Sequence, residues 1–408
     1  MTLSTPSAAV VAWCERELQR RADTPCAAPD LLQQLTVVVP SYRRQDFLLR
    51  QIAHWAPFPT RLVIADGSPE PLTGAARAIV SRQPTVTYLH GPDSLEDRLR
   101  LAAQHIRTPY AVFLGDDELL LPVGVAEAIR TLNGNHLLAA CIGQSLRFRV
   151  PAEPGRLTYT TGYPHWRYDA TEKNSEARLT AAMAGYSGAT CYAIVREPFW
   201  SRSWGALGKW ATPYTSELQQ ALSVHAFGGV TSIDEMYWLR SSENAPVREK
   251  DPAARLTIDA WWKLPPYEAE RVRFVELVAG CLRAEEPLSG PESEQLIRKA
   301  VDVYMDKRAR KHRVAASSST RQRLRLLSTR ALRRICPPAL VTRLRMVAGV
   351  HGTGDLGDLD AVRGTEIMRS FRLSDAAFHE LRTAESLIEG FRRARAEDAT
   401  QLAEQAAE

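Results

Sequence analysis

The first strong apolar block is Leu35-Thr-Val-Val-Val-Pro40, a β-branched run that predicts a buried strand. Ahead of it, residues 1–35 hold one helical stretch, Ala8 to Arg21, and a loop with Pro25 and Pro29. Behind it, two periods alternate. Helical spacing is read over Asp46–His54, Leu72–Ser81 and Ser94–Ile106, and strand-like runs over Thr60–Ala65, Val86–His90 and Tyr110–Leu114. Short helices between strands predict a mostly parallel α/β sheet, in which ligands sit beyond the carboxyl ends of the strands.

The pattern continues less regularly. Pro122 opens a helix, Val123–Leu132, which Asn133-Gly134-Asn135 ends. Leu137–Val150 predicts one or two strands, and residues 151–185 read as irregular and polar, with Tyr159, Tyr163, His165, Trp166 and Tyr168 clustered. A strand over Ala189–Val195, a helix or aromatic loop over Pro198–Trp210, a helix over Thr215–His225 and a strand over Val230–Leu239 follow. Beyond about residue 250 only helices are predicted: Ile258–Trp262, Glu268–Arg283, Ser293–Arg308 and one long helix after Ser374. Residues 314–320 read as a linker and His351–Asp360 as a loop. This divides the chain into an N-terminal helix and loop (1–35), a sheet-bearing region (36–245) and a helical C-terminal region (246–408).

Charge sharpens the picture. The net charge is +5, yet the thirteen Lys and Arg between Lys307 and Gly354 stand with no Asp or Glu, so the remainder is mildly acidic. The basic segment 307–354 carries interspersed leucines, which suits an anionic membrane face, a solvated helical face, or docking on the acidic body. Nothing else in the chain supports reading of nucleic acid. No apolar run is long enough to span a bilayer, and the N-terminus lacks a signal-peptide pattern, so a cytoplasmic protein is expected, peripheral to the membrane at most. Cys14, Cys26, Cys141, Cys191, Cys281 and Cys336 are dispersed, which points to neither zinc nor a disulfide framework.

The chemistry concentrates where predicted strands end. Tyr110-Ala-Val-Phe-Leu-Gly115 delivers Asp116, Asp117 and Glu118 together to the sheet edge. Adjacent carboxylates repel, so such a cluster needs a cation; two of them plus phosphate oxygens can hold Mg or Mn. The other reading is a solvated acidic turn before a helix. Ser41–Arg44 and Asp66-Gly67-Ser68 end two neighbouring strands and belong to the same edge.

Taken in order, Thr36-Val-Val-Val-Pro40-Ser41-Tyr42, Asp66-Gly67-Ser68 and Tyr110–Glu118 resemble the GT-A-fold inverting glycosyltransferases of the large family that builds bacterial polysaccharides. The resemblance spans about residues 36–245. It implies a Rossmann-type mixed sheet flanked by helices, with a mostly helical C-terminal extension. It places Pro40, Ser41, Tyr42 and Arg44 around the nucleotide base, with Asp66 as hydrogen-bond acceptor. The acidic motif corresponds to the family's D-x-D element, but the usual first Asp falls on Gly115. That shift leaves Asp117, then Asp116, then Glu118 as ligands of a divalent cation, and Asp116 also near the nucleotide. Arg240, in Arg240-Ser-Ser-Glu243-Asn244, matches the loop that closes over the diphosphate, and Arg98 and Arg100 are similar candidates. Glu217 has the place of the catalytic base, ahead of Asp169, Glu172 and Glu176.

Each residue also has a structural reading: an ordinary turn for Asp66, a packing aromatic for Tyr42, a helix-start acid for Glu217, solvated surface arginines for the rest. The expected function is transfer of a sugar from a nucleotide diphosphate, UDP first, to a hydroxyl of a saccharide or lipid-linked acceptor. A catalytically silent sugar-nucleotide-binding or scaffold protein is the alternative. A nucleotidyltransferase would need a glycine-rich, lysine-bearing loop after the first strand, which Pro40-Ser-Tyr-Arg-Arg44 is not.

Overall fold

The computed structural model describes residues 6–92, 94–151, 156–161, 168–244, 252–311, 355–365 and 373–405. Two helices, α1 (Ala8–Arg21) and the single turn α2 (Pro29–Leu32), precede the sheet. Then β1 (Leu35–Ser41), α3 (Gln45–Trp55), β2 (Arg61–Asp66), α4 (Gly74–Ser81), β3 (Val86–His90), α5 (Leu95–Ala103) and β4 (Tyr110–Phe113) follow in strict alternation. β1 lies in the middle, parallel to β2 on one side and to β4 on the other, and β3 adds parallel to β2. Every residue of β1 is buried, as its continuous β-branched sequence requires.

The second half reverses directions. It comprises β5 (Leu119–Leu120), α6 (Pro122–Gly134), β6 (Leu138–Arg149), β7 (Thr158–Thr161), α7 (Ser175–Gly185), β8 (Ile194–Arg196), α8 (Phe199–Ser203), α9 (Pro213–Phe227) and β9 (Gly229–Arg240). β8 joins the halves by pairing antiparallel with both β4 and β6. β9 runs parallel to β6 and antiparallel to β5, which brings Arg240 beside the acidic loop. The sheet is mixed and flanked by helices, the α/β class that the alternation predicts.

Three expectations fail for identifiable reasons. Residues 151–185 are not irregular throughout: they contain β7 and α7, the latter started by Asn174, whose side chain accepts from the Ala177 N–H. Gly188–Tyr192 forms a 3-10 turn started by Ser187, and pairing begins only at Ile194. Gly-Ala-Thr-Cys-Tyr holds one β-branched residue, so little favours a strand there. The C-terminal region is not helices alone. After α10 (Ile258–Lys263), α11 (Glu268–Arg283) and α12 (290–311), β10 (Asp355–Gly357) pairs antiparallel with β7, followed by α13 (Leu359–Gly364) and α14 (Asp375–Gln405). A three-residue edge strand carries no period for a sequence to display.

α14 packs across α1, α3 and α6. Its Phe391 meets Trp13 and Phe47 at centroid distances of 5.4 and 5.1 Å. Sealed between this helix and the sheet, α3 buries every residue except Asp46. Tyr163, His165, Trp166, the linker 314–320 and all of the basic segment beyond residue 311 lie outside the described residues. Among the described residues, no helix is long and apolar enough to cross a membrane.

Candidate active site

The loops after β1, β2 and β4 meet at one sheet edge, as parallel strands dictate. Ser41 closes β1 and donates its hydroxyl to Asp116 Oδ2 at 2.7 Å. Its carbonyl accepts from Gly67 N at 2.9 Å and from Arg98 Nη1 at 2.6 Å. Gly67 is required here, because a Cβ would collide with the Arg98 guanidinium. Arg98 is therefore buried structural support for the β1 loop, with its guanidinium 5.7 Å from the Tyr42 ring centroid. Tyr42 itself is exposed, and Arg43 also faces its ring. Arg43 adopts a left-handed φ of 57° and donates its N–H to Ser68 Oγ at 2.9 Å, a bond that ties the first two loops together.

Asp66, at the end of β2, is fully buried. Its Oδ2 accepts from Gln45 Nε2 at 2.7 Å and the Tyr88 hydroxyl at 2.8 Å, and its Oδ1 accepts from Ser68 N at 2.9 Å. A base would have to exchange with one of these donors. Pro40 is buried within β1.

The acidic loop is held from below by α3. Arg50 Nη2 donates to the Asp117 carbonyl at 2.7 Å, Gln51 Nε2 to the Asp116 carbonyl at 3.0 Å, and His54 Nε2 lies 2.8 Å from the Leu120 carbonyl. Burial pushes the His54 pKa down to about 3, so the ring is neutral and its Nε2 donates. Asp116 is fully buried, with Oδ1 2.7 Å from Arg44 Nη2. Asp117 Oδ2 accepts from Asn244 Nδ2 at 2.7 Å and lies 3.5 Å from Arg44 Nη1. Glu118 Oε2 accepts from the Trp238 indole at 3.2 Å, and Oε1 lies 3.8 Å from Arg240 Nε. Burial raises the Asp116 carboxyl to about 6. Burial, reinforced by Asp117, raises Glu118 to about 8.

A divalent cation expected at Asp117, Asp116 and Glu118 would meet side chains that the protein already engages. Among the described residues, no three His, Cys, Asp or Glu groups converge on a point that could hold a metal ion. The guanidinium of Arg44 lies against both Asp116 and Asp117 instead.

Glu217 has the opposite setting. Of the run Thr215–Phe227 in α9, it is the one exposed residue; all the others are buried. The helix is packed on every side, and this carboxylate alone points into space. That space is a cavity of about 480 Å³ lined by Glu217, Tyr186, Tyr214, Thr257, Tyr304 and Arg308, among others. Protein surrounds the carboxylate although solvent reaches it, and this desolvation lifts its pKa to about 7, against the pull of Arg240. Among the described residues no side chain bonds to its carboxylate. Arg308, the cation in the lining, is spent on Asp259, with Nη2 and Nε at 2.7 and 2.8 Å from Oδ2. Tyr186 and Tyr304 meet edge to face at 5.0 Å.

The fold thus brings Ser41, Arg44, Asp116, Asp117, Glu118 and Arg240 together, with Glu217 linked to them electrostatically through Arg240. Asp169, Glu172 and Glu176 lie exposed and do not line the cavity; Glu176 pairs with Lys299. Arg100 pairs with Asp97 at the surface. Arg50, Gln51 and His54 were not singled out by sequence, although polar residues on the buried side of an otherwise apolar helix were the available signal. Tyr304 and Arg308 come from α12, outside the region where the motifs lie, and no local pattern marks them.

No family model matches the chain, and no curated protein matches it. Among solved structures, S. aureus TarS 1-349 in complex with UDP-GlcNAc is 11% identical over 67% of this chain and 73% of that chain, with a TM-score of 0.44. Glucosyl-3-phosphoglycerate synthase from Mycobacterium tuberculosis, in complex with Mn2+, UDP and glucosyl-3-phosphoglycerate, is 12% identical over 60% of this chain and 82% of that chain, with a TM-score of 0.36. Likeness at this level assigns no residue and no activity to this chain.

Proposed function

We propose that the chain is a GT-A-type glycosyltransferase. It transfers a sugar from a nucleotide diphosphate donor, UDP first, to a hydroxyl of an acceptor held in the Glu217 cavity. The observation that carries this reading is Glu217 itself: the one exposed side chain of a buried helical run, poised near neutrality and within electrostatic reach of Arg240, which also faces Glu118. A general base works best when its pKa lies near the working pH. Glu217 would take the proton of the acceptor hydroxyl as its oxygen attacks the anomeric carbon. The new glycosidic C–O bond forms while the bond from that carbon to the phosphate oxygen breaks. The electron pair leaves with the nucleoside diphosphate, and attack from the opposite face inverts the centre.

The cavity suits a saccharide. Tyrosine rings offer apolar faces to the C–H side of a sugar, and their hydroxyls meet its polar edge. One observation favours the silent, nucleotide-binding alternative: Asp66 has both oxygens and Asp116 one oxygen bonded to protein donors, with the other Asp116 oxygen in ion-pair contact with Arg44.

Release of nucleoside diphosphate from a panel of UDP-, GDP- and dTDP-sugars, with saccharide acceptors present, tests the proposal. Release by the wild type that collapses in Glu217→Gln supports it. Nucleotide binding with no release by the wild type would replace it with the scaffold reading.

A further inference from the structure

A dication held between carboxylates needs oxygens that are free to ligate it, and this loop has spent most of its oxygens on the protein. Asp116 gives one to Ser41 and the other to Arg44, out of contact with solvent. Asp117 shares Oδ2 between Asn244 and Arg44, and Glu118 is turned to Trp238 and Arg240. At position 115 a Cβ would stand 3.3 Å from Glu118 Oε2 and 3.4 Å from Asp117 Oδ1, so a further acid there would press against these two carboxylates. Guanidiniums already stand against these acids as well. Asp116, Asp117, Glu118 and Glu243 face the guanidiniums of Arg44, Arg50 and Arg240. A dication entering beside Arg44 would meet like charge where it needs anions.

Arg44 is also placed to do the work of such an ion. Its side chain is 33% exposed at the sheet edge, while its guanidinium pairs with the two aspartates and lies 5.9 Å from the Phe47 ring centroid. A guanidinium has five N–H donors in a planar fork, and the carboxylate contacts leave donors over for phosphate oxygens. We propose that Arg44 supplies the positive charge that meets the donor's diphosphate, so that this chain binds nucleoside diphosphates without a divalent metal. The proposal rests on the nucleotide-donor reading above.

The test is calorimetric titration of the full chain with UDP, GDP and dTDP, once in EDTA and once in Mn2+. The expected result is the same affinity for the preferred nucleotide in both buffers. Arg44→Ala should weaken binding in EDTA by at least about tenfold, the loss of one charge-assisted contact. Arg44→Lys, which keeps the charge without the fork, should recover only part of it. Binding that appears in Mn2+ and disappears in EDTA would overturn the inference and leave the donor reading standing. No nucleotide binding in either buffer would overturn both. The comparison of buffers uses the wild type alone, so it decides the matter even if an Arg44 variant folds poorly.

Discussion

The acidic loop and the Glu217 cavity both present carboxylates that feel Arg240, and the protein treats them differently. At the loop, every acid has a cation or a donor against it, and α3 grips the backbone beneath with Arg50, Gln51 and His54. At the cavity, Glu217 has no bonded side-chain partner among the described residues, with Arg308 of the lining diverted to Asp259. Burial raises carboxyls at both places, but the loop acids are bonded to protein donors and cations, while Glu217 opens on a cavity. The contrast separates a loop of engaged acids at the sheet edge from an acid on a helix that lines a cavity.

The largest effect should come from removing the Glu217 carboxylate. Glu217→Gln is expected to cut transfer by about 100- to 10,000-fold, the usual contribution of a general base, with nucleotide affinity unchanged. Turnover and titration measured on the same preparation check it, and a variant with full turnover removes Glu217 from the mechanism. On the other side of the comparison, the loss should be in folding. Arg50 is fully buried between the Glu243 carboxylate and the Asp117 carbonyl, so Arg50→Ala leaves an unpaired acid and should cost about 3–5 kcal/mol in urea denaturation.

The pH dependence gives smaller, graded effects. With Glu217 at about 7, transfer should rise about tenfold per pH unit below neutrality and level off above it. Stability should run the other way. Glu380, whose carboxylate accepts from Val123 N at the start of α6, is raised by burial from 4.5 to about 7. A carboxyl raised in the folded state binds more protons there than in the unfolded chain. Its contribution is full below about pH 4.5 and is lost as pH climbs through about 7. Urea midpoints at pH 5 and pH 8 should therefore fall with pH, and fall less in Glu380→Gln; an equal fall would deny Glu380 this part. The smallest effect belongs to Glu176, an exposed acid paired only with Lys299. Glu176→Ala should leave turnover intact and shift stability by no more than about 0.5 kcal/mol.

The chain's local patterns determined a good deal alone. β-branched runs and helical spacing placed α1, β3 and α11 at their observed ends and the parallel strands β1, β2 and β4 within a residue or two; burial of those three strands leaves a near-continuous apolar signature. Glycine and acids after those strands marked the sheet edge, since carboxyl ends of parallel strands must converge. What tertiary structure alone decided is which charges meet. Arg44 lies 72 residues from Asp116 in sequence, Asn244 lies 127 from Asp117, and Tyr304 and Arg308 arrive at Glu217 from a helix whose own sequence repeats only an ordinary amphipathic pattern. Pairing of charges depends on distance in space and on desolvation, and neither is written in local periodicity. The sequence could therefore name the acids, while only the packed chain could say that one set is faced by arginines and the other acid opens on a cavity.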